Sequence, residues 1–417
     1  MPWSPSSATA RPGDHISLSA ASSAATHGED RATTRSHRQM SSRDLRPTVV
    51  HCASPFLNLT MTWVYRQIAH HRRYRPVVLT QEARNLGLFP VEPLHDAAQW
   101  PIAKRLAHRL RLRLTGQYAF YTPILRREQA DLIHAHFGQE GYRCLNARQR
   151  ADIPMVTTFY GLDVSALPRI PAWRRRFRRL FEEGARFLAE GPCLGERLVD
   201  LGCPPEKVRV QRLGVDLSTI LCRPFRDPVE GCQIVLMCAY FNEKKGLPYG
   251  VRAFGRVADR HPHARLHIIG DGPRRPEIEA AVQELRLSDR VTFLGLLPAS
   301  EYLEHLLRCH VLLYPSVTAS DGDTEGGAPV TVLEALASGL PVVSSRHADI
   351  PAVAPDGTCA LLAPERDVDG LAERLDALLS DPALRGRMGE AGRRHMEEHH
   401  DAVKQGEKLE TIYDEVI

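Results

Sequence analysis

The stretch Asp321-Gly-Asp-Thr-Glu-Gly-Gly-Ala-Pro-Val-Thr-Val-Leu-Glu334 decides the fold of this 417-residue chain. Pro329 suits the first turn of a helix, apolar residues then recur at helical spacing, and Gly339 is typical of a helix end. A buried-strand pattern, Val311–Tyr314, precedes the stretch, and a second one begins at Pro341. Strand, loop, helix and strand in this order predict a parallel α/β sheet, whose ligands bind at the carboxyl ends of the strands.

The loop before this helix combines a carboxylate with two adjacent glycines. Glu325 falls in the loop, and Glu334 falls more than one turn into the helix. Gly326 and Gly327 let the backbone come close to a ligand because no Cβ intervenes. A helix start adds unpaired N–H groups and about half a positive charge. Together these features predict a site for a ligand that is both sugar and phosphate.

Two other interpretations of the stretch compete. Asp321, Asp323 and Glu325 match the first half of a calcium loop, but such a loop needs a bidentate Glu at its twelfth position, which is Val332 here. The other interpretation is a solvated acidic loop before an ordinary core helix. The stretch alone leaves that second interpretation open.

The stretch resembles the signature of retaining, nucleotide-sugar-dependent glycosyltransferases of family four, a Glu-Gly loop followed by a helix with a second Glu. It is most similar to the bacterial exopolysaccharide branch of colanic-acid type, which has Gly-Asp-x-Glu-Gly-x-Pro before the helix. Residues 322–329 are one residue longer than that pattern. The extra residue lies between Gly326 and Pro329, so the spacing from Pro329 to Glu334 is unchanged.

The resemblance extends from about residue 46 to the C-terminus. No single motif is decisive, and the common order and spacing of the segments carries the resemblance. The other similar segments are Asp131–Gly138, Thr157–Asp163 (a His-Gly-x-Asp loop in the family), Gly202–Val208 with Leu213–Asp216, Asn242–Gly246, Ile268–Pro273 and Val291–Gly295.

The resemblance implies the GT-B fold, an α/β architecture of two Rossmann-like, doubly wound domains that face a central cleft. Strand-like runs alternate with helical patterns through both halves of the chain, in agreement with parallel sheets. The expected parts are a disordered arm (1–45), an acceptor-side domain (46–216), a linker (217–231), a nucleotide-sugar-binding domain (232–398) and a C-terminal helix returning to the first domain (399–417).

The resemblance also implies roles for individual residues. Glu325 would lie beside the transferred sugar and Lys245 would meet the diphosphate, which makes them the candidate catalytic pair. The implied donor-binding residues are Gly326, Gly327, Ala328, Val330, Glu334, Gly270, Gly272 and Leu296. The implied acceptor-side or cleft-lining residues are Tyr160, Asp163 and His136. A UDP- or GDP-linked sugar is expected as co-substrate, with no metal and no other cofactor.

Two positions depart from the family pattern. Tyr240 stands where the family usually has an Arg, five residues before the phosphate lysine, and a neutral phenol does not replace a guanidinium. Lys244, Arg274 and Arg275 are candidates to compensate. Tyr160 stands where the family has His, and because tyrosine is a poor base at neutral pH we assign no general base there.

The expected reaction moves a hexosyl group from a nucleoside diphosphate to an acceptor hydroxyl with retained configuration, in the synthesis of exopolysaccharide or another cell-surface glycan. The alternatives are a GT-B-like epimerase, phosphorylase or synthase, and a nucleotide-sugar-binding protein without turnover. The absence of a Gly-x-Gly-x-x-Gly pattern after the first strand disfavours a nicotinamide-dependent oxidoreductase.

The composition of the chain limits which partners and which cellular compartment are expected. The formal charge is only +4, so global charge does not indicate nucleic-acid binding. Nine cysteines without a Cys-x-x-Cys pair suit a reducing compartment. No apolar run approaches the roughly 20 residues that span a bilayer. We expect a cytoplasmic protein, peripheral on the inner face of the plasma membrane, whose partners are a glycan or lipid-linked acceptor and an anionic membrane surface, with no nucleic acid.

Two basic segments bear on that expectation. Trp100–Leu114 carries many cations and no acid, with Leu106, Leu110 and Leu114 at helical spacing, and Trp173–Phe181 is similar. Such segments can lie on an anionic membrane surface. The alternative is an ordinary packed helix with a solvated basic face.

Histidine pairs raise the question of a metal. His134 and His136 are two residues apart, and His399 and His400 are adjacent. A pair without a third ligand is weak evidence for a metal site. We therefore expect strand-end or surface histidines, with His136 near the cleft.

Overall fold

The computed structural model describes residues 44–58, 61–224 and 231–417. Most of the expected N-terminal arm, residues 1–43, and the central part of the expected linker, residues 225–230, lie outside the described residues.

The first sheet has seven parallel strands in the order β3-β2-β1-β4-β5-β6-β7. The strands are β1 Thr48–Cys52, β2 Arg75–Thr80, β3 Leu94–Asp96, β4 Leu132–His136, β5 Met155–Phe159, β6 Arg186–Ala189 and β7 Val208–Val210. The helices that accompany them are α1 Thr62–Ala69, α2 Ile102–Thr115, α3 Thr122–Arg127, α4 Gly138–Ala151, α5 Pro171–Glu183 and α6 Pro192–Asp200.

The second sheet has six parallel strands in the order β10-β9-β8-β11-β12-β13. The strands are β8 Gln233–Cys238, β9 Ala264–Ile269, β10 Val291–Gly295, β11 Val311–Tyr314, β12 Val342–Ser345 and β13 Ala360–Ala363. The remaining helices are α7 Leu247–Ala258, α8 Arg275–Glu284, α9 Ala299–Leu306, α10 Val330–Ala337, α11 Ile350–Val353, α12 Val368–Ser380, α13 Pro382–His399 and α14 Ala402–Asp414.

The strand order places one crevice on each sheet. Strand order reverses between β1 and β4 in the first sheet and between β8 and β11 in the second. In doubly wound sheets a ligand binds outside the carboxyl ends of the strands at this switch point. The loop that carries Glu325 follows β11, so the fold brings it to the switch point of the second sheet.

The central strands are buried on both faces. All five residues of β1 and all four of β11 are buried. Helices cover both sides of each sheet, so these strands are continuous apolar runs rather than alternating patterns. This is why they were readable from sequence.

The C-terminal helix α14 packs on the first sheet. Leu409, Ile412 and Tyr413 share an apolar cluster with Val49 of β1 and Leu132 of β4. The two parallel sheets and this returning helix confirm the predicted α/β fold class.

Some element boundaries differ from the predictions. The short strands β3, β7 and β13 were not predicted; each lies at a sheet edge and has only three or four residues, too few for a clear pattern. Pro329 precedes α10 rather than occupying its first turn, and Gly339 lies one residue beyond the C-cap residue Ser338. Among the described residues, the structure has no helix whose length and apolar character suit a membrane crossing.

Candidate active site

The loop between β11 and α10 brings the two candidate catalytic residues together. Glu325 is 5% exposed, and Lys245 Nζ lies 2.8 Å from each of its carboxylate oxygens. Tyr314 Oη lies 2.7 Å from the same Nζ, and Ser316 Oγ donates to Glu325 Oε1 at 2.8 Å. Lys245 reaches this point from the turn after β8, so neighbouring strands of one sheet supply both charges.

These contacts keep Glu325 ionised. Burial opposes the charged carboxylate, but the charges of Lys245 and Lys244 and the hydrogen bonds from Lys245 and Ser316 outweigh it. The net result is a pKa of Glu325 below its ordinary value. The site therefore holds a buried negative charge whose main neutralising partner is one lysine.

The backbone of Glu325 is fixed by His347. The Glu325 N–H donates to His347 Nε2 at 3.0 Å, so the ring carries its proton on Nδ1, which donates to Glu365 at 2.6 Å. Glu365 in turn accepts from the Thr318 N–H at 2.8 Å. This chain anchors the Glu-Gly loop to the end of β12 and to β13, and sequence reasoning missed it.

The adjacent glycines meet the first domain directly. A Cβ on Gly326 would lie 1.5 Å from the carbonyl oxygen of Tyr160, and one on Gly327 would lie 2.1 Å from Glu190 Cβ. The N–H groups of Gly327 and Ala328 donate to Glu190 Oε2 at 2.7 and 3.1 Å. In this structure the first domain therefore occupies the backbone donors that the resemblance assigns to the sugar.

The start of α10 leaves two N–H groups for a ligand. Pro329 O accepts from Val332 and Leu333, which leaves the N–H groups of Val330 and Thr331 at the positive end of the helix dipole. Further along α10, Glu334 Oε1 accepts from Arg66 Nη2 of α1 at 2.9 Å. The residue expected at the ribose is thus paired with a cation of the first domain.

Three cations were candidates to compensate for the absent Arg at Tyr240, whose side chain is 52% exposed. Each of them has a carboxylate partner. The pairs are Lys244 with Asp323 (2.9 Å), Arg274 with Glu243 (3.1 Å) and Arg275 with Glu279 (2.7 Å).

The remaining donor-side candidates lie at the ends of β9 and β10. A Cβ on Gly270 would lie 1.9 Å from the Ala239 carbonyl oxygen, and one on Gly272 would lie 2.7 Å from that of Phe241. Both glycines let this turn pack against the segment after β8, which is a structural reason for them. Leu296 is 74% exposed just beyond β10.

Asp163 and His136, two of the expected acceptor-side or cleft-lining residues, lie behind the Tyr160 loop. Both are fully buried. The Asp163 carboxylate accepts the N–H groups of Gly138, Tyr160 and Gly161 at 2.9–3.0 Å, so it organises the backbone behind the cleft. Burial raises the pKa of Asp163, against these hydrogen bonds.

A chain of side chains connects Tyr160 to the C-terminal helix. Tyr160 Oη lies 2.6 Å from His136 Nδ1, His136 Nε2 lies 3.0 Å from His51 Nδ1, and His51 Nε2 lies 2.9 Å from His71 Nε2. His71 Nδ1 lies 3.5 Å from Glu410, and hydrogen bonding from His71 and from backbone N–H groups, against burial, lowers the pKa of Glu410 to about 2. The chain thus ends at Glu410, which also accepts the backbone N–H groups of Arg72 and Arg73 at 2.7 and 2.8 Å.

The same cluster adds His51 to the pair His134 and His136, which gives three histidines close enough together to bind a metal ion. Ligand atoms of His51, His134 and His136 lie within 4.8 Å of one another, since His51 on β1 is in register with His134 on β4. His134 bonds Tyr413 at 2.6 Å and Thr158 at 2.7 Å, so each ring nitrogen of the three faces a protein partner. A hydrogen-bonded network explains these histidines, and the expectation of no metal stays a prediction.

A cavity of about 280 Å³ opens beside the Glu-Gly loop. Val164, Arg169 and Arg197 line it from the first domain, and Thr318 and Thr324 line it from the second. Its position next to Thr324 places it adjacent to Glu325 along the chain. The cavity is thus shared by both domains.

The family of the chain follows from sequence comparison. Residues 223–395 match the family described as Glycosyl transferases group 1, and residues 70–219 match Glycosyltransferase Family 4. WcaL of Salmonella typhimurium, named for colanic acid biosynthesis, is 31% identical over 284 residues, which is 68% of this chain and 70% of that protein. The chain belongs to glycosyltransferase family four.

Other family-four relatives are similar over shorter spans. WcaL of Escherichia coli is 34% identical over 251 residues, 60% of this chain and 61% of that protein. AmsK of Erwinia amylovora, named for amylovoran biosynthesis, is 33% identical over 245 residues, 58% of this chain and 60% of that protein. The match thus spans about three fifths of each relative's length.

Solved structures show the family-four fold. HepE of Anabaena, solved with UDP and glucose, superposes with a TM-score of 0.71 at 14% identity, covering 89% of this chain and all of that one. Sucrose-phosphate synthase of Thermosynechococcus elongatus superposes with a TM-score of 0.70 at 18% identity, covering 89% and 99%. The architecture is GT-B, as predicted.

Sequence reasoning missed three residues of this site. Arg66 and Glu190 come from the first domain, and His347 follows β12. Glu190 had a readable signal, since it directly follows a strand and precedes Gly191-Pro192 at the start of a helix. Arg66 had none, because pairing across two domains depends on how they pack.

Proposed function

We propose that this family-four chain transfers a sugar from a nucleoside-diphosphate sugar, UDP- or GDP-linked, to an acceptor hydroxyl with retention of configuration. Convergence of Lys245, Glu325 and the start of α10 carries the proposal. The names of the relatives support exopolysaccharide or another cell-surface glycan as the product.

The reaction breaks the bond between the sugar's anomeric carbon and the diphosphate and forms one to the acceptor oxygen. Negative charge grows on the departing diphosphate. Lys245 and the N–H groups of Val330 and Thr331 are placed to stabilise that charge without a metal. The acceptor proton passes to the departing phosphate, so the step needs no separate base.

Donor binding would change the partner of Lys245. In this structure Lys245 neutralises Glu325. When the diphosphate draws Lys245 away, Glu325 is left with the hydroxyl groups of Ser316 and Tyr314 and faces the sugar. A buried carboxylate at that point stabilises the positive character of the sugar in the transition state.

The acceptor would enter from the first domain. The cavity beside Thr324 is lined by Arg169 and Arg197, both placed between the domains. Closure of the domains over donor and acceptor would exclude water, since hydrolysis of the activated sugar competes with transfer.

We also propose that α2 docks on an anionic membrane surface. Ile102, Leu106, Leu110 and Leu114 are 60–75% exposed and spaced four residues apart, so they form one ridge. Cations flank the ridge without any acid. An apolar ridge with flanking cations suits the boundary between lipid headgroups and acyl chains.

The second basic helix, α5, does not share this feature. Its apolar residues Phe177, Leu180 and Phe181 are buried in the first domain. Its cations therefore form the solvated face of an ordinary packed helix, the alternative considered above.

Vesicle binding tests the membrane proposal. Replacing Leu106 and Leu110 together with Ser should weaken co-sedimentation with phosphatidylglycerol-rich vesicles by roughly tenfold or more, because two apolar anchors are lost. Replacing Arg174 and Arg178 of α5 with Gln is the matched control and should change binding by less than about twofold. Equal effects of the two double variants would contradict docking through α2.

A panel of UDP-, GDP- and ADP-sugars tests the catalytic proposal. Wild-type protein should release nucleoside diphosphate from one donor class, and Glu325→Gln should reduce the rate on the order of 100-fold or more. Tyr240 keeps a binding protein without turnover as the second candidate. Donor binding with background-level release in both proteins would favour that second candidate.

A further inference from the structure

Glu190 closes the Glu-Gly loop from the opposite domain. It directly follows β6, is 4% exposed, and its Oε2 accepts the N–H groups of Gly327 and Ala328 at 2.7 and 3.1 Å. These donors precede α10, where a substrate anion or hydroxyl would be bound. Glu190 forms no ion pair with any cation in the described part of the chain.

The lack of side chains at Gly326 and Gly327 makes room for Glu190. Any side chain at Gly327 would collide with Glu190, and one at Gly326 would come within 3.2 Å of Glu190 Oε2. The absence of Cβ atoms therefore admits a first-domain carboxylate into the loop as well as a ligand.

A second carboxylate makes the reciprocal contact. Asp349, at the start of α11 in the second domain, accepts the N–H groups of Cys193 and Leu194 at 2.7 and 3.0 Å. Those groups begin α6 of the first domain. A carboxylate of each domain thus accepts backbone N–H groups of the other domain. Of these two carboxylates, Glu190 is the one that contacts the loop carrying Glu325.

We propose that Glu190 is a positioning residue that competes with the donor for the backbone of the Glu-Gly loop, and that the nucleotide sugar must displace it to reach Gly327 and Ala328. This rests on the proposed function of the site. Glu190 satisfies two N–H groups of this buried loop that would otherwise lack partners. It keeps the loop in the shape that receives the donor, at the cost of competing with it.

The surroundings of Glu190 favour its departure. Burial raises the pKa of Glu190 to about 8, against the hydrogen bonds from Gly327 and Ala328, and the facing carboxylates Asp163 and Asp349 raise it further. The other titratable group facing it is the Tyr160 phenol. The buried carboxyl therefore binds a proton more tightly than the same group exposed to water. Displacement of Glu190 by the donor at pH 7 would release protons.

Calorimetric titration of UDP-glucose and GDP-mannose tests the proposal on the full chain. Glu190→Ala should bind the accepted donor about tenfold more tightly than wild type. The donor then no longer has to break the contact with Glu190, and the net free energy of about one hydrogen bond corresponds to about a tenfold change in affinity. Glu128→Ala is the control, since it removes another partly buried carboxylate of the first domain, one that pairs with Arg75 and His95 and does not contact the Glu-Gly loop, and it should stay within about twofold of wild type. Weaker or unchanged binding by Glu190→Ala, or an equal gain in Glu128→Ala, would overturn the proposal.

Glu190→Gln keeps an oxygen acceptor and the shape of the side chain, so it guards against misfolding. Titrations in two buffers of different ionisation enthalpy should show net proton release on donor binding by wild type and less release by Glu190→Gln. Equal proton release by both would overturn the proposal. Binding of no nucleotide sugar by wild type or any variant would instead remove the proposed function, and this inference with it.

Discussion

The buried pair Lys245–Glu325 predicts that stability and turnover can be separated. Replacing Lys245 with Met leaves Glu325, 5% exposed, with only the Ser316 and Tyr314 hydroxyls at 2.8 and 3.3 Å. Removing one partner of a buried pair costs about 3–5 kcal/mol, and these two hydroxyls place this case near the lower end. We expect the free energy of unfolding to fall by about 3 kcal/mol.

The partner substitution should cost less. Glu325→Gln keeps an acceptor for Ser316, and the lysine side chain, 16% exposed, can still reach water. We expect a loss of about 1 kcal/mol, in the range of one net hydrogen bond. The double variant Lys245→Met/Glu325→Gln leaves no uncompensated charge, so it should lose only about 1–2 kcal/mol and give a coupling energy of about 2–3 kcal/mol.

Urea unfolding measures these changes from midpoint shifts at constant slope. Nucleoside-diphosphate release measures turnover, which should stay low in all three variants because the double variant restores no positive charge at the diphosphate. If the losses of unfolding free energy in the two single variants add up to the loss in the double variant, Lys245 and Glu325 are not energetically coupled. Recovery of turnover in the double variant would refute the role of Lys245 at the leaving group.

Three further predictions concern residues around the site. Tyr240→Arg, at an exposed position where the family usually has Arg, should tighten nucleotide-sugar binding about tenfold by calorimetry, and unchanged affinity would contradict a role at the diphosphate. His51→Phe should weaken donor binding several-fold while the control His108→Phe does not, because His51 lies in the chain to Tyr160 and the similarly buried His108 bonds Gln81 instead. Equal affinities in the two variants would argue against that chain. The pKa of Glu410 in the folded protein, about 2, is below its value in the unfolded chain, so Glu410 stabilises the packing of α14 above pH about 4.5, and this stabilisation should be lost as the pH falls towards 2. Glu410→Gln should lower the free energy of unfolding by about 1–3 kcal/mol at pH 7. Urea unfolding should also show a weaker dependence of stability on pH below about 4.5 in this variant.

The sequence was most informative where local pattern and function coincide. β11, α10 and the loop between them were readable because a buried apolar strand, two glycines and a helical repeat are all local features. Their order along the chain identified the GT-B fold before any contact was known. Short edge strands such as β13 have too few residues to show a period.

The contacts between domains were not readable. Pairing of Arg66 with Glu334 joins residues 268 positions apart, and Glu190 meets Gly327 across 137 positions. Nothing in the local pattern of either partner specifies such a distance. Asp163 was expected at the cleft from its family position, and the three backbone N–H groups that its carboxylate accepts could not be read from the sequence.

A crystal structure with a bound UDP- or GDP-sugar tests the central claim most directly. The account predicts diphosphate oxygens within hydrogen-bonding distance of Lys245 Nζ and of the N–H groups of Val330 and Thr331, with the sugar beside Glu325 and Glu190 withdrawn from Gly327. A diphosphate bound away from Lys245 and the start of α10, or a sugar that leaves the Glu190 contact in place, would contradict it.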